Sequence, residues 1–146
     1  MTVTKKFTAI LIAMIALFSS CTQNDIYEEY YNVSSFSRDY KVLKASWKEA
    51  RDDSGYYLYY EFTETNLTQF IYDNGIMQAF LLMEGKNITP LPFDDFWIDK
   101  ETGYMWTEQV TCEFRPGVIT FILKYNDHAT EILPYYDYTF RVRFLW

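Results

Sequence analysis

The chain lacks the residue patterns that commonly mark a catalytic or metal-binding protein. It has one histidine, His128, two cysteines and five glycines among 146 residues. Triad chemistry needs a nucleophile beside the histidine and a carboxylate that orients it, and no Gly-x-Ser-x-Gly element is present. We therefore interpret His128 as a solvated loop residue, predict no catalytic residue and no cofactor, and assign no residue to a metal site.

Positive charge is scarce as well. The chain has 13 Lys and Arg side chains against 20 Asp and Glu, which gives a net charge of −7. Affinity for nucleic acid comes mainly from the neutralisation of phosphates. We therefore expect no nucleic-acid partner.

The apolar run at the amino terminus is too short to span a membrane. It extends from Phe7 to Phe18, behind Lys5 and Lys6, and it has the length of a signal-peptide core, whereas a membrane helix needs about 20 apolar residues. The run ends at Ser19-Ser20-Cys21, which resembles the lipobox of bacterial lipoproteins, although Phe18 stands where that motif usually has leucine.

The lipobox resemblance implies that residues 1–20 are a signal peptide and that Cys21 is lipidated. In that family the cysteine thiol receives a diacylglycerol, a peptidase cuts before the cysteine, and the new amine is usually acylated. Two or more acyl chains hold a protein stably on a membrane, so we predict a lipid-anchored protein of the cell envelope. The alternative is an ordinary secretory signal that carries a cysteine by chance.

The residues that follow Cys21 are acidic and include Asp25, Glu28 and Glu29. They resemble the signal that sends lipoproteins of Bacteroidota to the outer face of the outer membrane, and a solvated tether explains them equally well. We predict a tether over residues 21–37 and one domain over residues 38–146. The expected location is the outer membrane, with surface exposure left open.

Aromatic residues are abundant, with 14 Tyr, 12 Phe and 4 Trp, and such residues favour strands. Apolar and polar residues alternate through most of the domain, and one helical turn is predicted over Leu67 to Asp73, with Asn66 as its cap and Gly75 past its end. The pattern predicts an all-β fold, an antiparallel β-sandwich of about seven strands, with a small β-barrel as the alternative. The predicted strands cover residues 40–47, 56–63, 76–83, 104–114, 118–125 and 138–146, and the two prolines of residues 87–99 predict an edge strand or a bent segment there.

Three features together resemble a group of small lipoproteins that are abundant in Bacteroidota. They are Trp47 at the end of the first predicted strand, the stretch Leu67-Thr68…Ile71…Gly75, and the final strand Tyr138 to Leu145. The resemblance implies an immunoglobulin-like sandwich on a lipid anchor, and it implies no reaction.

The second cysteine, Cys112, lies within an alternating strand pattern. If the sulfur of Cys21 is acylated, Cys112 has no partner in the chain, and we predict a free, buried thiol. A Cys21–Cys112 disulfide, formed in an oxidising compartment, is the alternative.

Four acidic residues, Asp94, Asp95, Asp99 and Glu101, lie close together in one predicted segment. Such a set could ligate Ca²⁺ or supply the carboxylate pair of a glycosidase. The regular spacing of a calcium loop is absent, and adjacency in sequence does not set a carboxylate separation. We interpret the segment as an acidic loop and leave metal binding open.

The surplus of aromatic residues is the main indication of function. If the even-numbered residues of strand 56–63 face the core, Tyr57 and Tyr59 are exposed, and Trp97 is predicted to lie beside Phe96 in a loop. Exposed rings stack on sugars and anchor protein interfaces. We therefore predict a non-catalytic binding module for a glycan or an envelope protein, with Trp97, Tyr57 and Tyr59 as ligand-binding residues. The alternatives are a structural or assembly subunit of an envelope or fimbrial complex and, third, a hydrolase.

Overall fold

Nine strands account for most of the chain that the structure describes. The computed structural model describes residues 33–83, 87–126, 134 and 136–146, and residues 33–146 form one compact unit. The helical segments are a 3₁₀ turn, Lys44–Ser46, and the helix α1, Gln69–Asn74. The strands are β1 Ser35–Val42, β2 Lys48–Asp52, β3 Gly55–Thr63, β4 Ile76–Leu82, β5 Ile88–Pro90, β6 Phe93–Ile98, β7 Met105–Arg115, β8 Val118–Tyr125 and β9 Tyr138–Leu145.

The strands form two separate antiparallel sheets. One sheet has four strands in the order β1-β9-β4-β5, and the other has five in the order β2-β3-β8-β7-β6. Every neighbouring pair is antiparallel. The predicted antiparallel sandwich is therefore confirmed, and the described strands do not close into the alternative barrel.

Aromatic rings from the two central strands fill the space between the sheets. Phe121 of β8 and Phe140 of β9 are fully buried and stack with 3.9 Å between their ring centroids. Full burial of such a side chain contributes about 2–3 kcal/mol. Trp47 adds a T-shaped contact to Tyr138 at 5.8 Å. The inward-facing residues of β8 and β9 thus supply the contact that joins the sheets.

The sequence pattern predicts the first strand at the wrong residues. Strand β1 begins at Ser35, inside the predicted tether, and ends at Val42. The chain then makes the 3₁₀ turn and crosses to the other sheet, where residues 48–52 form β2 between two of the predicted strands. Since β2 is an edge strand with four exposed residues around a half-buried Ala50, its charges suit an edge that must not pair further, and they hide the alternation.

The proline-containing segment bends between the sheets, as its sequence predicts. It divides into β5, which pairs with β4, and β6, which pairs with β7. A cis peptide bond joins Leu91 and Pro92 at the crossing. The crossing places β5 and β6 in different sheets, each as an edge strand.

The helix begins two residues later than predicted. Thr68 caps it, because the Thr68 hydroxyl accepts a hydrogen bond from the Ile71 N–H at 3.3 Å, while the Asn66 amide binds elsewhere. Gly75 follows α1 in an extended conformation. A Cβ atom there would lie 2.6 Å from the Ile71 carbonyl oxygen, so Gly75 permits a close approach of backbones and does not serve a left-handed turn.

A buried carboxylate, that of Glu64, fastens the two sheets to each other. It is fully buried at the end of β3 and accepts hydrogen bonds from the Tyr40 hydroxyl and, at 2.8 Å, from Arg38 Nη1, both on β1. Its other oxygen accepts the backbone N–H of Asn66 at 2.9 Å and the side-chain amide of Asn66 at 2.8 Å. Both oxygens are therefore occupied, one by donors from β1 and the other by donors from the loop that follows β3.

Candidate functional site

The outer face of the five-stranded sheet carries two adjacent tyrosines. Leu58 of β3 is buried, so its neighbours Tyr57 and Tyr59 point to the opposite face. Their ring centroids are 6.2 Å apart, and Lys124 Nζ lies 5.3 Å from the centroid of Tyr57. Ala50 stands directly opposite Tyr57 on β2, and this small neighbour leaves that side of the ring open. Both tyrosines point outward, but they are half-buried, whereas the sequence pattern predicted that they are exposed.

A groove of about 790 Å³ passes over this face, and we call it the outer groove. It extends from the outward side chains of β3 and β8 across β7 to the first half of β4 and the Leu91-Pro92 crossing. Its lining residues include Tyr57, Tyr59, Gln109, Thr111, Thr120 and Lys124. The groove thus combines two aromatic rings with hydroxyl, amide and ammonium groups.

Two ion pairs lie in the outer groove. Lys124 Nζ lies 3.0 Å from the Asp52 carboxylate, and Arg115 forms an ion pair with Glu61. Hydrogen bonds from Ser54 and Lys124 lower the pKa of Asp52 to about 2, so Asp52 is ionised at neutral pH. Glu113 also lines the groove and forms no ion pair with a described residue, so the groove holds three carboxylates against two cations.

One border of the outer groove is an open strand edge. Strand β6 pairs with β7 only as far as Val110. Arg115 and Val118 close the β7–β8 hairpin, so odd-numbered residues of β7 direct their backbone groups to β8 and even-numbered residues direct theirs to the β6 side. The backbone N–H and C=O groups of Cys112 and Phe114 therefore face the groove, and no described strand pairs with them.

Cys112 is also one of the residues that line the outer groove, and it is half-buried and packed against the core. Burial raises the pKa of its thiol, which keeps it protonated and unreactive. It forms no disulfide with a described residue. The lipidation candidate Cys21 and the only histidine, His128, lie outside the described residues.

Trp97 lies in strand β6, which corrects the prediction that it is an exposed loop residue. Its side chain faces inward, half-buried against the core, and stacks on Trp106 directly opposite on β7 with 6.4 Å between ring centroids. Its neighbour Phe96 is the outward residue, with 59 % of its surface exposed. The structure therefore does not bring Trp97 together with the two tyrosines of the outer groove.

The four acidic residues of the predicted loop are also divided by β6. Asp94 points outward, and Asp95 points inward. Asp99 accepts a hydrogen bond from the Glu101 N–H at 2.8 Å and so closes the turn between β6 and β7. In the part of the chain that the structure describes, no group of three or more acidic, histidine or cysteine side chains is placed to hold a metal ion.

The inward side of β6 borders a second cavity, of about 310 Å³, which we call the end pocket. Glu108 reaches it from β7 and is only 4 % exposed. The Tyr138 hydroxyl donates a hydrogen bond to the Glu108 carboxylate. The pocket is lined by Leu81, Leu82, Met83, Phe93, Asp95, Glu108, Tyr136, Asp137 and Tyr138.

Sequence reasoning missed Glu108, although the alternation contained the signal. Trp106, Glu108 and Val110 are alternate residues of one strand and therefore point to the same side of the sheet. An acidic residue at a core-facing position must be hydrogen-bonded or lie beside a cavity, and Glu108 does both.

No helix in the described residues is long and apolar enough to cross a membrane. Comparison of the chain with protein-family models, with curated proteins and with solved structures finds no match. The candidate sites therefore stand on the geometry of this chain.

Proposed function

We propose that the protein is a non-catalytic, lipid-anchored module of the bacterial cell envelope that binds a glycan in the outer groove. The observation that supports glycan binding is the pair of adjacent rings, Tyr57 and Tyr59, in a groove of polar side chains. The anchor at Cys21 and the envelope location rest on the amino-terminal sequence.

The outer groove matches the surface chemistry of a sugar chain. A sugar ring has an apolar C–H face, which aromatic rings cover, and a rim of hydroxyl groups. Gln109, Thr111 and Thr120 supply donors and acceptors for such a rim. Each ring contact contributes on the order of 1 kcal/mol, so a single site binds weakly and many copies on one membrane gain strength through avidity.

The test of glycan binding is a glycan array probed with the chain that lacks residues 1–21. On any glycan that binds, Tyr57→Ala and Tyr59→Ala should each weaken affinity about fivefold, as expected for the loss of one aromatic contact. Tyr56→Ala is the matched control, because Tyr56 lies on the same strand but faces the other side, with Arg51 5.0 Å from its ring centroid. Unchanged affinity in both groove variants would place the site elsewhere, and an empty array would contradict glycan binding.

The test of the anchor is metabolic labelling with radioactive palmitate. Cys21→Ala should abolish the label and leave an unprocessed or soluble protein. Normal labelling of this variant would contradict lipidation at Cys21.

A second candidate function, assembly into an envelope complex, is favoured by the open edge of β7. An extended segment of a partner protein could add a strand beside Cys112 and Phe114, since strand addition uses free backbone groups. Hydrogen exchange measures this directly. The amides of Cys112 and Phe114 should exchange fast in the free protein and slowly in a complex, while those of Thr111 and Glu113, which pair with β8, stay protected in both.

A further inference from the structure

The end pocket has apolar walls and an acidic side. Leu81 and Leu82 of β4 and Phe93 of β6 line one part of it, and Met83 lies at its border. A ligand with a short hydrocarbon body would remove this apolar surface from water, which contributes about 25 cal/mol for each Å².

Two carboxylates meet at the acidic side of the end pocket. Asp95 and Glu108 are direct partners across β6 and β7, and both face inward. In such a pair the Cα atoms are about 5.5 Å apart, so the side chains share one space. No lysine or arginine among the described residues forms an ion pair with Asp95 or Glu108, whereas Asp137, at the same pocket, has Lys41 Nζ at 2.9 Å.

Aromatic rings complete the pocket. Tyr136 is 41 % exposed, and its ring centroid lies 5.8 Å from that of Trp97 and 5.3 Å from that of Tyr138. The face of an aromatic ring carries partial negative charge and attracts a cation within about 6 Å. The rings and the carboxylates of the pocket therefore both favour a positively charged ligand.

The titration behaviour of the pocket agrees with an excess of negative charge. Burial raises the pKa of Tyr136 to about 12, and the charges of Glu108 and Asp95 add to the effect. Burial raises the pKa of Glu108 as well, and the Asp95 charge acts in the same direction.

We infer that the end pocket binds an organic cation, an ammonium or guanidinium group on a short apolar chain, with its charge between Asp95, Glu108 and the ring of Tyr136. The hydrocarbon part lies against Leu81, Leu82 and Phe93. The site is separate from the outer groove and does not depend on glycan binding there.

The test is a ¹H–¹⁵N NMR titration of the chain that lacks residues 1–21. Butylammonium and butylguanidinium should shift the amide signals of Asp95, Glu108 and Tyr136, with saturation. Butanol, which has the same hydrocarbon body, should bind at least about tenfold more weakly because it lacks the charge. Equal shifts from butanol, or no saturable shift from either cation, would overturn the proposal.

Variants of the end pocket sharpen the test. Asp95→Asn should weaken butylammonium binding about tenfold through the lost charge, and Tyr136→Leu should weaken it while keeping an apolar wall. Asp94→Asn is the matched control, because it removes the same charge from the outward side of the same strand. Equal losses in Asp94→Asn and Asp95→Asn would assign the effect to net charge and overturn the proposal.

The ammonium group that the end pocket binds can belong to a free amine or to a lysine side chain of a partner protein, since both carry the same chemistry. A peptide Gly-Gly-Lys-Gly-Gly with blocked ends distinguishes them. Tighter binding of the peptide than of butylammonium assigns the pocket to a protein side chain, and weaker binding assigns it to a free amine. If neither ligand binds, the inference is wrong.

Discussion

Glu64 and Glu108 are both removed from water, yet the protein surrounds the two carboxylates in opposite ways. Glu64 lies among donors. Burial alone raises its pKa, but hydrogen bonds from Tyr40 and Asn66, together with the charge of Arg38, outweigh burial and hold the pKa of Glu64 below its ordinary value. The charged form of Glu64 is therefore the one that the fold stabilises.

Glu108 is compensated less, because no cation pairs with it among the described residues. Burial raises its pKa, hydrogen bonds from Tyr138 and Tyr125 oppose burial, and the charge of Asp95 raises the pKa further, with a net shift upward. The charged form of Glu108 is therefore disfavoured by its surroundings.

The comparison distinguishes Glu64, a carboxylate with a structural role, from Glu108, a carboxylate that borders the proposed ligand site. Every oxygen of Glu64 has a donor, and Glu64 borders neither the outer groove nor the end pocket. Glu108 faces a cavity, with a second carboxylate opposite it. A buried carboxylate without a paired cation is costly for stability alone, and a cation that binds in the pocket would relieve this cost.

The largest expected effect comes from Glu64→Gln. The substitution removes the charge that Arg38 and Tyr40 hold and places an amide N–H₂ group among donors, so the free energy of unfolding should fall by about 2 kcal/mol. Urea denaturation at pH 7 measures it. Glu49→Gln, on the exposed edge strand β2, should change stability little. A loss below about 0.5 kcal/mol for Glu64→Gln, the usual range for surface substitutions, would contradict the structural role.

Glu108→Gln should behave in the opposite way. Its amide oxygen still accepts the Tyr138 hydroxyl, and the substitution removes a charge that burial disfavours. The free energy of unfolding at pH 7 should therefore not fall by more than about 1 kcal/mol. Urea denaturation measures it. A loss as large as that in Glu64→Gln would mean that charged Glu108 is a structural residue.

The pH dependence of stability should show the two signs directly. Because folding lowers the pKa of Glu64, its contribution is full above the unfolded pKa of about 4.3 and is lost as the pH falls through the folded value. Because folding raises the pKa of Glu108, stability instead declines as the pH rises from the unfolded value to the folded one. Unfolding free energies measured between about pH 3 and 8 test both effects. The loss of stability towards low pH should be absent in Glu64→Gln, and the decline of stability towards high pH should be absent in Glu108→Gln. If the curves of unfolding free energy against pH are parallel for the wild type and both variants, the opposite pKa shifts assigned to Glu64 and Glu108 are wrong.

Local alternation predicted much of this fold. Strands β3, β4, β7, β8 and β9 lie within one or two residues of their predicted bounds, because each has one face in the core and the period of two is a local property. Strands β1 and β2 were mispredicted because Trp47 is buried at a crossing between sheets, and such a crossing depends on contacts distant in sequence.

In the candidate sites as well, side-chain directions set within one strand were predicted correctly, and positions set by contacts between distant strands were not. The outward direction of Tyr57 and Tyr59 is fixed by parity within one strand, but their predicted exposure was wrong because both are half-buried. The position of Trp97 depends on pairing between β6 and β7, which the two prolines of residues 87–99 concealed. The end pocket joins β4, β6, β7 and the start of β9, so no local pattern could show it.

The smallest expected effect is on the pKa of Glu108 itself. Burial is the main cause of its raised pKa, and the Asp95 charge is a lesser one. Asp95→Asn should therefore lower the pKa of Glu108 but leave it above the ordinary value for glutamate, and ¹³C NMR of the Glu108 side-chain carboxyl as a function of pH measures the change. Asp94→Asn should leave the titration unchanged, because its carboxylate is on the other face of β6. If Asp95→Asn also leaves it unchanged, the two carboxylates do not share the end pocket, and the site proposed for an organic cation loses its charge pair.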